Sequence, residues 1–243
     1  MAISRSKKIK VQVRKFHRWL GIAVGVQLFF WTVSGVFFSW VHIKKVRGED
    51  IAREKDESFL ELPTSVVSAS DVQNILGQPV RELRVKSFQG KAVYAAYIGE
   101  RLPFALVDAE TGGLLDEISA NDAKVFALRD YAGDGEIVKI EKVAKNNVPV
   151  YQVAFNDTRK TELLVHRVDG TIISRRNTIW YIYDFLWMLH ILDFEEREDF
   201  NNKIIKGVSI FGLVTILSGY ALFLSSRRRD KTVKSPATST SVS

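Results

Sequence analysis

The sequence predicts a membrane protein of the α+β class, in which two transmembrane helices flank a domain of helices and antiparallel sheets. Among its 243 residues, Leu20–Val41 runs for 22 positions without a charge and Gly207–Leu224 for another 18. A helix needs roughly 20 such residues to cross a hydrocarbon core of about 30 Å. Between these two segments, apolar and polar residues alternate in short runs, which is typical of half-buried strands.

Basic residues are concentrated at the two ends of the chain. The net charge is +7, with residues 1–18 contributing +7, the tail after Ser226 contributing +4 and the rest −4. Positive charge next to apolar segments is typical of the cytoplasmic side of a membrane and of contact with anionic lipid headgroups. This distribution favours the lipid bilayer as a partner over nucleic acid. It predicts that both termini are cytoplasmic and that the central domain lies on the outer side.

The N-terminal elements follow from this topology. We expect a basic cytoplasmic segment at 1–18, a transmembrane helix at 19–42 and a polar linker at 43–61. The apolar run is longer than the 7–15 residues usual for the core of a cleaved signal peptide, and no small-residue cleavage site follows it. The first helix is therefore predicted to be an uncleaved membrane anchor.

The central domain is predicted to contain two similar units, at 62–118 and 119–177, each a helix followed by three or four antiparallel strands. Ser68 and Ser119 stand at the expected helix N-caps, and Asp, Asn and Gly punctuate the strands. The predicted strands of the first unit are Glu82–Phe88, Ala92–Ile98, Phe104–Val107 and Leu114–Ile118. Those of the second unit are Ile137–Val143, Val150–Phe155, Glu162–Arg167 and Thr171–Ser174. His166, in the third of these, is expected to be an ordinary surface residue.

The C-terminal third is predicted to return the chain to the cytoplasm. Residues 178–194 are apolar and aromatic, and a third span there would send the basic tail outward, against the charge distribution. We therefore expect an amphipathic helix at the outer membrane interface. An acidic connector at 195–206, a second transmembrane helix at 207–225 and a cytoplasmic tail at 226–243 complete the prediction.

Three motifs resemble those of the PepSY-associated transmembrane family. Leu106–Gly112, with the pattern V-D-x-x-T-G, resembles the end of the sheet in a PepSY domain. Arg14–Gly21 resembles the K-x-H-R-W-L-G signature at the first helix of the family. Leu186–Phe194 resembles the W-x-L-H-I-x-D-[YF] segment of its short members with two spans.

The resemblance implies a bacterial inner-membrane protein with a periplasmic double PepSY-like domain. Family members are implicated in iron acquisition, some as haem-containing reductases of ferric siderophores and some as helpers of ferrous iron uptake. We further expect a homodimer or a larger membrane complex, because two helices alone offer little surface to enclose a haem, with a ferrous iron transporter or the quinone pool as partners. Larger members have four or more spans and additional intramembrane histidines, which this chain lacks.

Three of the four histidines lie at predicted membrane boundaries. We expect His42 and His190 to meet at the outer face and to ligate one b-type haem, since neutral imidazole is a common axial ligand. The alternative is that both imidazoles only make interfacial hydrogen bonds. His17 lies about 37 Å from His42 along the first helix. It either ligates a second haem with its twin from another subunit or anchors the helix among lipid phosphates.

After His190, the seven positions 193–199 contain five carboxylates, which are Asp193, Glu195, Glu196, Glu198 and Asp199. Hard oxygen donors suit iron cations, so the stretch is a candidate site for iron as substrate. The alternative is a solvated start to the second transmembrane helix. Without cysteine, the chain has no disulfide, no thiolate zinc site and no cysteine-ligated iron–sulfur cluster.

The sequence leaves two functions open. One is transmembrane electron transfer that supports reduction of ferric iron or ferric siderophores and uptake of ferrous iron. The other is a non-enzymatic role, as a PepSY-type periplasmic sensor or regulator whose sheet edge binds an extended segment, or as an accessory subunit of a membrane electron-transfer complex. No fingerprint for hydrolysis or nucleotide binding occurs.

Overall fold

The computed structural model describes residues 2–53, 60, 63–195, 197, 199 and 201–233. The chain divides into two compact units. The helical unit comprises the chain up to Trp40 and from Tyr183 onward, and the sheet unit comprises Val41–Ile182. Two long apolar helices thus flank a domain of helices and antiparallel sheets.

Two helices of the helical unit are long and apolar enough to cross a membrane. They are α1, Ala2–Trp40, and α6, Lys203–Val233. The parts of these helices that are apolar enough to span a membrane are Val11–Trp40 and Lys203–Leu224. Large apolar side chains on both helices are more than half exposed, including Phe29 and Ile210. The core helix of a soluble domain would bury such residues, so these exposed surfaces favour a membrane protein.

A third helix, α5, spans Thr178–Ile191 and has its C-terminal half in the helical unit. This half runs antiparallel to α1, since the Tyr183 ring lies 4.7 Å from that of Phe38, while the carbonyl of Leu189 accepts from Gln27. Helix α6 continues in the same direction along α1, where Ser218 contacts His17. Helices α5 and α6 therefore pack one after the other along α1, and residues 192–202 lie between them.

In the sheet unit, a helix followed by an antiparallel sheet occurs twice. The first occurrence is α3, Ala69–Leu76, followed by β1 Glu82–Phe88, β2 Lys91–Tyr97 and β3 Ala105–Asp108. The second is α4, Ala120–Asp130, followed by β4 Ile137–Lys145, β5 Val148–Phe155, β6 Glu162–His166 and β7 Ile172–Arg176. Within each sheet, neighbouring strands in the sequence pair antiparallel, so the described residues form one sheet of three strands, β1 to β3, and one of four, β4 to β7.

The predicted helix starts are confirmed by the side-chain contacts at the caps. The Ser68 hydroxyl accepts the backbone N–H of Asp71, and Ser119 forms a capping box with Asp122. One predicted strand, Leu114–Ile118, is wrong, because only Leu114 forms an isolated bridge. Its neighbours divide their hydrogen bonds between the sheets: Leu115 N–H binds the Leu106 carbonyl, and Ile118 N–H binds that of Arg167. This segment joins the sheets instead of extending one.

Residues 43–53, predicted to be a polar linker, pack into the sheet unit. They contain a short helix, α2 at Ile43–Val46, and a 3₁₀ turn at Glu49–Ile51. Val46 is buried, and the backbone N–H of Arg53 donates to the carbonyl of Asp130. Residues 54–59 and 61–62 lie outside the described residues.

One apolar core serves both sheets. It takes side chains from the first sheet, from α4 and from the second sheet, among them Val93, Leu106, Ala127, Val153 and Leu163. Small residues of α4, such as Ala123 and Ala127, are fully buried and let the helix approach closely. The two predicted repeats, 62–118 and 119–177, therefore share one core and form a single domain.

Gly170 tests how tightly the helix α4 packs on this core. A Cβ there would lie 2.5 Å from the Phe126 ring, and its φ of +70° is unfavourable for other residues. Gly90 has a similar positive φ but open space around it. We expect Gly170→Ala to lower the free energy of unfolding by about 1–3 kcal/mol more than Gly90→Ala does. Thermal unfolding of the two full-length variants in detergent, followed by circular dichroism, measures this difference, and equal melting temperatures would contradict it.

Candidate functional site

Side chains from other helices bind the last carbonyls of α5. A helix leaves its final carbonyls without intrahelical partners, and such groups are costly away from water. Here Gln27 Nε2 and Trp31 Nε1 donate to the carbonyls of Leu189 and His190 at 3.0 and 2.7 Å. Asn202 Nδ2 donates to the next carbonyl, that of residue 191, at 2.9 Å. The first two contacts hold the end of α5 against α1, and the third joins it to the residue just before Lys203, where α6 begins.

The same packing places His190 in an aromatic environment. Trp31 and Phe38 of α1 lie at ring-centroid distances of 6.2 and 5.7 Å from the imidazole, and Trp187 stacks parallel to it at 6.5 Å. His190 thus lies beside α1 in the helical unit, next to the rings of Trp31 and Phe38. The capping of the α5 carbonyls by Gln27 and Trp31 holds it there.

A serine contacts one nitrogen of this imidazole. Ser34, fully buried on α1, has its Oγ 2.7 Å from His190 Nδ1. The same Oγ lies 2.7 Å from the carbonyl oxygen of Phe30. Ser34 is not among the residues predicted from the sequence, because it is 156 positions from His190. Its one sequence signal is a polar side chain within an apolar helix.

His17 makes a similar contact elsewhere in the helical unit. Its Nδ1 lies 2.7 Å from Ser218 Oγ, which also donates to the Thr215 carbonyl at 2.8 Å. Gly219 leaves room for the ring, because a Cβ there would lie 3.2 Å from His17 Cε1. His17 and the His190-binding Ser34 are 17 residues apart on α1, which corresponds to about 25 Å.

His42 belongs to the sheet unit and has a capping role. It is the N-cap of α2, and its Nδ1 accepts the backbone N–H of Lys44 at 3.2 Å. In a neutral imidazole the other nitrogen, Nε2, then carries the proton. As long as this cap is made, His42 offers an N–H donor and no free lone pair.

The described carboxylates of the acidic stretch accept backbone N–H groups in the segment between α5 and α6. Asp193 accepts the backbone N–H groups of Glu195 and Asp199, and Asp199 accepts that of Asn201. The neighbouring Asp184 forms an ion pair with Arg197. Glu196 and Glu198 lie outside the described residues. Within the part of the chain that is described, no three His, Asp or Glu side chains form a group that could hold a metal ion.

His166 is not a surface residue, contrary to the prediction. It is 2% exposed, and its Nδ1 lies 2.7 Å from an oxygen of Asp169, which is also buried. Lys86, from the first sheet, donates to the other Asp169 oxygen at 2.6 Å, and Thr171 Oγ1 donates to the same oxygen at 2.7 Å. The alternation of apolar and polar residues correctly predicted the strand β6, but at its end side chains on both faces of the sheet are buried. This cluster ties the two sheets together.

Next to this cluster is a cleft of about 590 Å³ between the β1–β2 hairpin and α4. Lys86, Asp169, Asp122 and Arg129 contribute its charged lining. Both carboxylates already have partners, Asp169 in the cluster and Asp122 in the capping box. The cleft therefore lacks a convergent set of free groups for one ligand.

Trp31 tests the role of carbonyl capping at the end of α5. We expect Trp31→Phe to destabilise the helical unit by about 1–3 kcal/mol, because a carbonyl loses its donor at a site away from water. Trp40→Phe is the matched control, since Trp40 is 86% exposed. Thermal unfolding in detergent micelles compares the two variants. An effect no larger than that of the control would show that the hydrogen bond contributes nothing.

Asp169 tests the cluster through the pH dependence of stability. Burial alone would raise the pKa of Asp169, but hydrogen bonds from His166, Lys86 and Thr171 lower it well below its usual range. A lowered pKa in the folded state stabilises the protein above about pH 4, and this stabilisation is lost as the pH falls further. We expect Asp169→Asn to cost about 3–5 kcal/mol at pH 7 and less at pH 3.

The matched control for Asp169 is Glu82→Gln. Glu82 also has a lowered pKa, through a hydrogen bond from Arg84, but it is solvent-exposed. Its substitution should leave the melting temperature nearly unchanged at both pH values, because exposed ion pairs are screened by solvent. The prediction for Asp169 is wrong if its variant loses as much stability at pH 3 as at pH 7.

Comparisons with known proteins find no match to a family model, to a curated protein or to a solved structure. The function proposed below is therefore argued from the contacts of the described residues and from the motifs in the sequence.

Proposed function

We propose that this chain is a haem-binding protein of the bacterial inner membrane that transfers electrons to ferric iron or a ferric siderophore and so supports ferrous iron uptake. The single observation that carries the proposal is the setting of His190. Its imidazole is held by Ser34 on one side and surrounded by the rings of Trp31, Phe38 and Trp187. The motif resemblance to the PepSY-associated transmembrane family supports the same function.

The residues around His190 fit an axial haem ligand in two respects. A ligating histidine uses one nitrogen for the iron and donates the other N–H to a neighbouring acceptor, which fixes the ring. Ser34 is placed to be that acceptor. Aromatic and apolar neighbours exclude water, which governs the reduction potential of a haem. When bound, a b-type haem would supply the one-electron chemistry.

The second axial ligand comes from one of two sources. His42 is the candidate from the sequence, and it must release its cap on α2 before either nitrogen offers a lone pair. Alternatively, His190 of a second copy completes the site in a homodimer, which the narrow surface of the helices also favours. His17, about 25 Å away along α1, is the candidate ligand for a second haem near the cytoplasmic side.

The charge distribution supports the proposed orientation. Basic residues occupy the N-terminal part of α1, before its apolar segment, and follow the apolar part of α6. Both termini are therefore proposed to be cytoplasmic and the sheet unit periplasmic. Electrons would enter from the quinone pool or a cytoplasmic donor and leave toward iron on the outer side. Glu195 and Asp199, both exposed at the break between α5 and α6, are the described carboxylates available to attract the cation.

An absorbance spectrum of the purified protein tests this proposal. We expect a Soret band and, on reduction, an α-band, with about one haem for each His190 pair if the site is shared. His190→Ala should abolish these bands, because the ligating nitrogen is removed. His42→Ala serves as the matched comparison: loss of the bands identifies His42 as the second ligand, and retention points to the homodimer.

Two results would contradict the proposal. The first is an absence of both bands in protein expressed with ample haem. The second is unchanged ferric-reductase activity in cells expressing the chain, compared with cells expressing His190→Ala. If a specific membrane protein then co-purified in a fixed ratio, the non-enzymatic role of the sheet unit would account for the chain instead.

A further inference from the structure

We propose that Ser34 and Ser218 are positioning residues that hold His190 and His17 as the tautomers protonated on Nδ1, so that Nε2 is the ligating atom of each. This inference rests on the proposed function for its consequence, but the hydrogen bonds that carry it are independent of haem. It assigns a role to two serines in apolar helices that neither the motifs nor the charge pattern explains.

Ser34 has a single hydroxyl proton, and its contacts show which neighbour receives it. A serine hydroxyl has one proton to donate and two lone pairs to accept with. Ser34 Oγ lies 2.7 Å from the Phe30 carbonyl and 3.1 Å from that of Trp31, and a carbonyl oxygen can only accept. The hydroxyl proton is therefore used on the helix backbone. The 2.7 Å contact with His190 must then be a donation from Nδ1–H to Ser34 Oγ.

The same count applies to Ser218. Its hydroxyl donates to the carbonyl of Thr215 at 2.8 Å, so its contact with His17 Nδ1 is also an accepted N–H bond. A neutral imidazole protonated on Nδ1 has its lone pair on Nε2. Gly219 keeps the ring in place without a steric clash, since a Cβ would meet His17 Cε1 at 3.2 Å.

The contact between a serine on one helix and a histidine on a neighbouring helix occurs twice. In one case α1 supplies the serine and α5 the histidine, and in the other α6 supplies the serine and α1 the histidine. Each serine bonds to the backbone of its own helix and accepts from a ring on the neighbouring helix. Both histidines are thus prepared to bind an electron-pair acceptor such as haem iron, at two positions about 25 Å apart along α1.

A hydrogen bond from Nδ1 has defined effects on a ligating imidazole. It fixes the rotation of the ring and increases the donor strength of Nε2, which stabilises ferric over ferrous iron. Removing the acceptor should therefore shift the midpoint potential of the haem to more positive values. Loss of comparable contacts around metal-ligating histidines weakens binding by about 10–100-fold, and we expect an effect in that range for haem retention.

The first experiment reads the tautomer directly and does not need haem. Full-length protein with ¹⁵N-labelled histidine gives few ring signals, because the chain has four histidines, and His190→Ala assigns the one of interest. In haem-free protein we expect His190 to carry its proton on Nδ1. Ser34→Ala should abolish this preference, and Ser34→Thr, which keeps the hydroxyl, should restore it.

The matched control is Ser39→Ala. Ser39 is on the same helix and donates to the backbone carbonyl of Gly35 at 2.6 Å, and within the described part of the chain it makes no hydrogen bond to a histidine. This substitution should leave the His190 tautomer unchanged. If Ser34→Ala also left the tautomer unchanged, the proton count would be wrong and the inference would be overturned.

The second experiment measures the haem-loaded protein by redox titration and by the rate of haem transfer to apomyoglobin. We expect a more positive potential and faster haem loss in Ser34→Ala than in Ser39→Ala, with Ser34→Thr resembling the wild type. Haem binding with no difference between the two alanine variants would overturn the positioning role alone. Absence of haem from the wild type would overturn the proposed function, while the tautomer experiment would still decide the hydrogen-bond assignment.

Discussion

The structure of the helical unit depends on how the exposed carbonyls at the end of α5 are satisfied. A helix that ends beside another apolar helix cannot rely on water for these groups. Gln27 and Trp31 of α1 and Asn202 at the start of α6 supply the donors instead. These hydrogen bonds hold the end of α5 beside α1. In this position the His190 ring contacts Ser34.

Much of the sheet unit could be predicted from local signals. The serine caps at Ser68 and Ser119 determine where two helices begin, and alternation located β1 at its observed bounds of Glu82–Phe88. These features depend on residues close in sequence, which is why reasoning from sequence finds them. The segment Leu114–Ile118 was also predicted to be a strand, yet it forms none, because its backbone N–H groups bind Leu106 in the first sheet and Arg167 just after β6.

The contacts that matter most for the candidate site could not be predicted, because they join residues far apart in the chain. Ser34 and His190 are separated by 156 positions, and Lys86 and Asp169 by 83. A histidine at the end of a strand has the same sequence signal whether it is exposed or buried, so the burial of His166 was not predictable. The histidines themselves were recognisable, but their hydrogen-bond partners, which decide the tautomer, required the fold.

The two ends of the sheet unit are joined to each other. Asn177, at the start of α5, donates to the carbonyl of Lys45 and also accepts the N–H of Trp180, while Arg159 pairs with Asp50. Neighbouring ends are what allow a domain to be inserted within another protein without disturbing it. A domain whose entry and exit lie side by side can be removed or replaced while the two chain segments that carried it are still joined by a short connection.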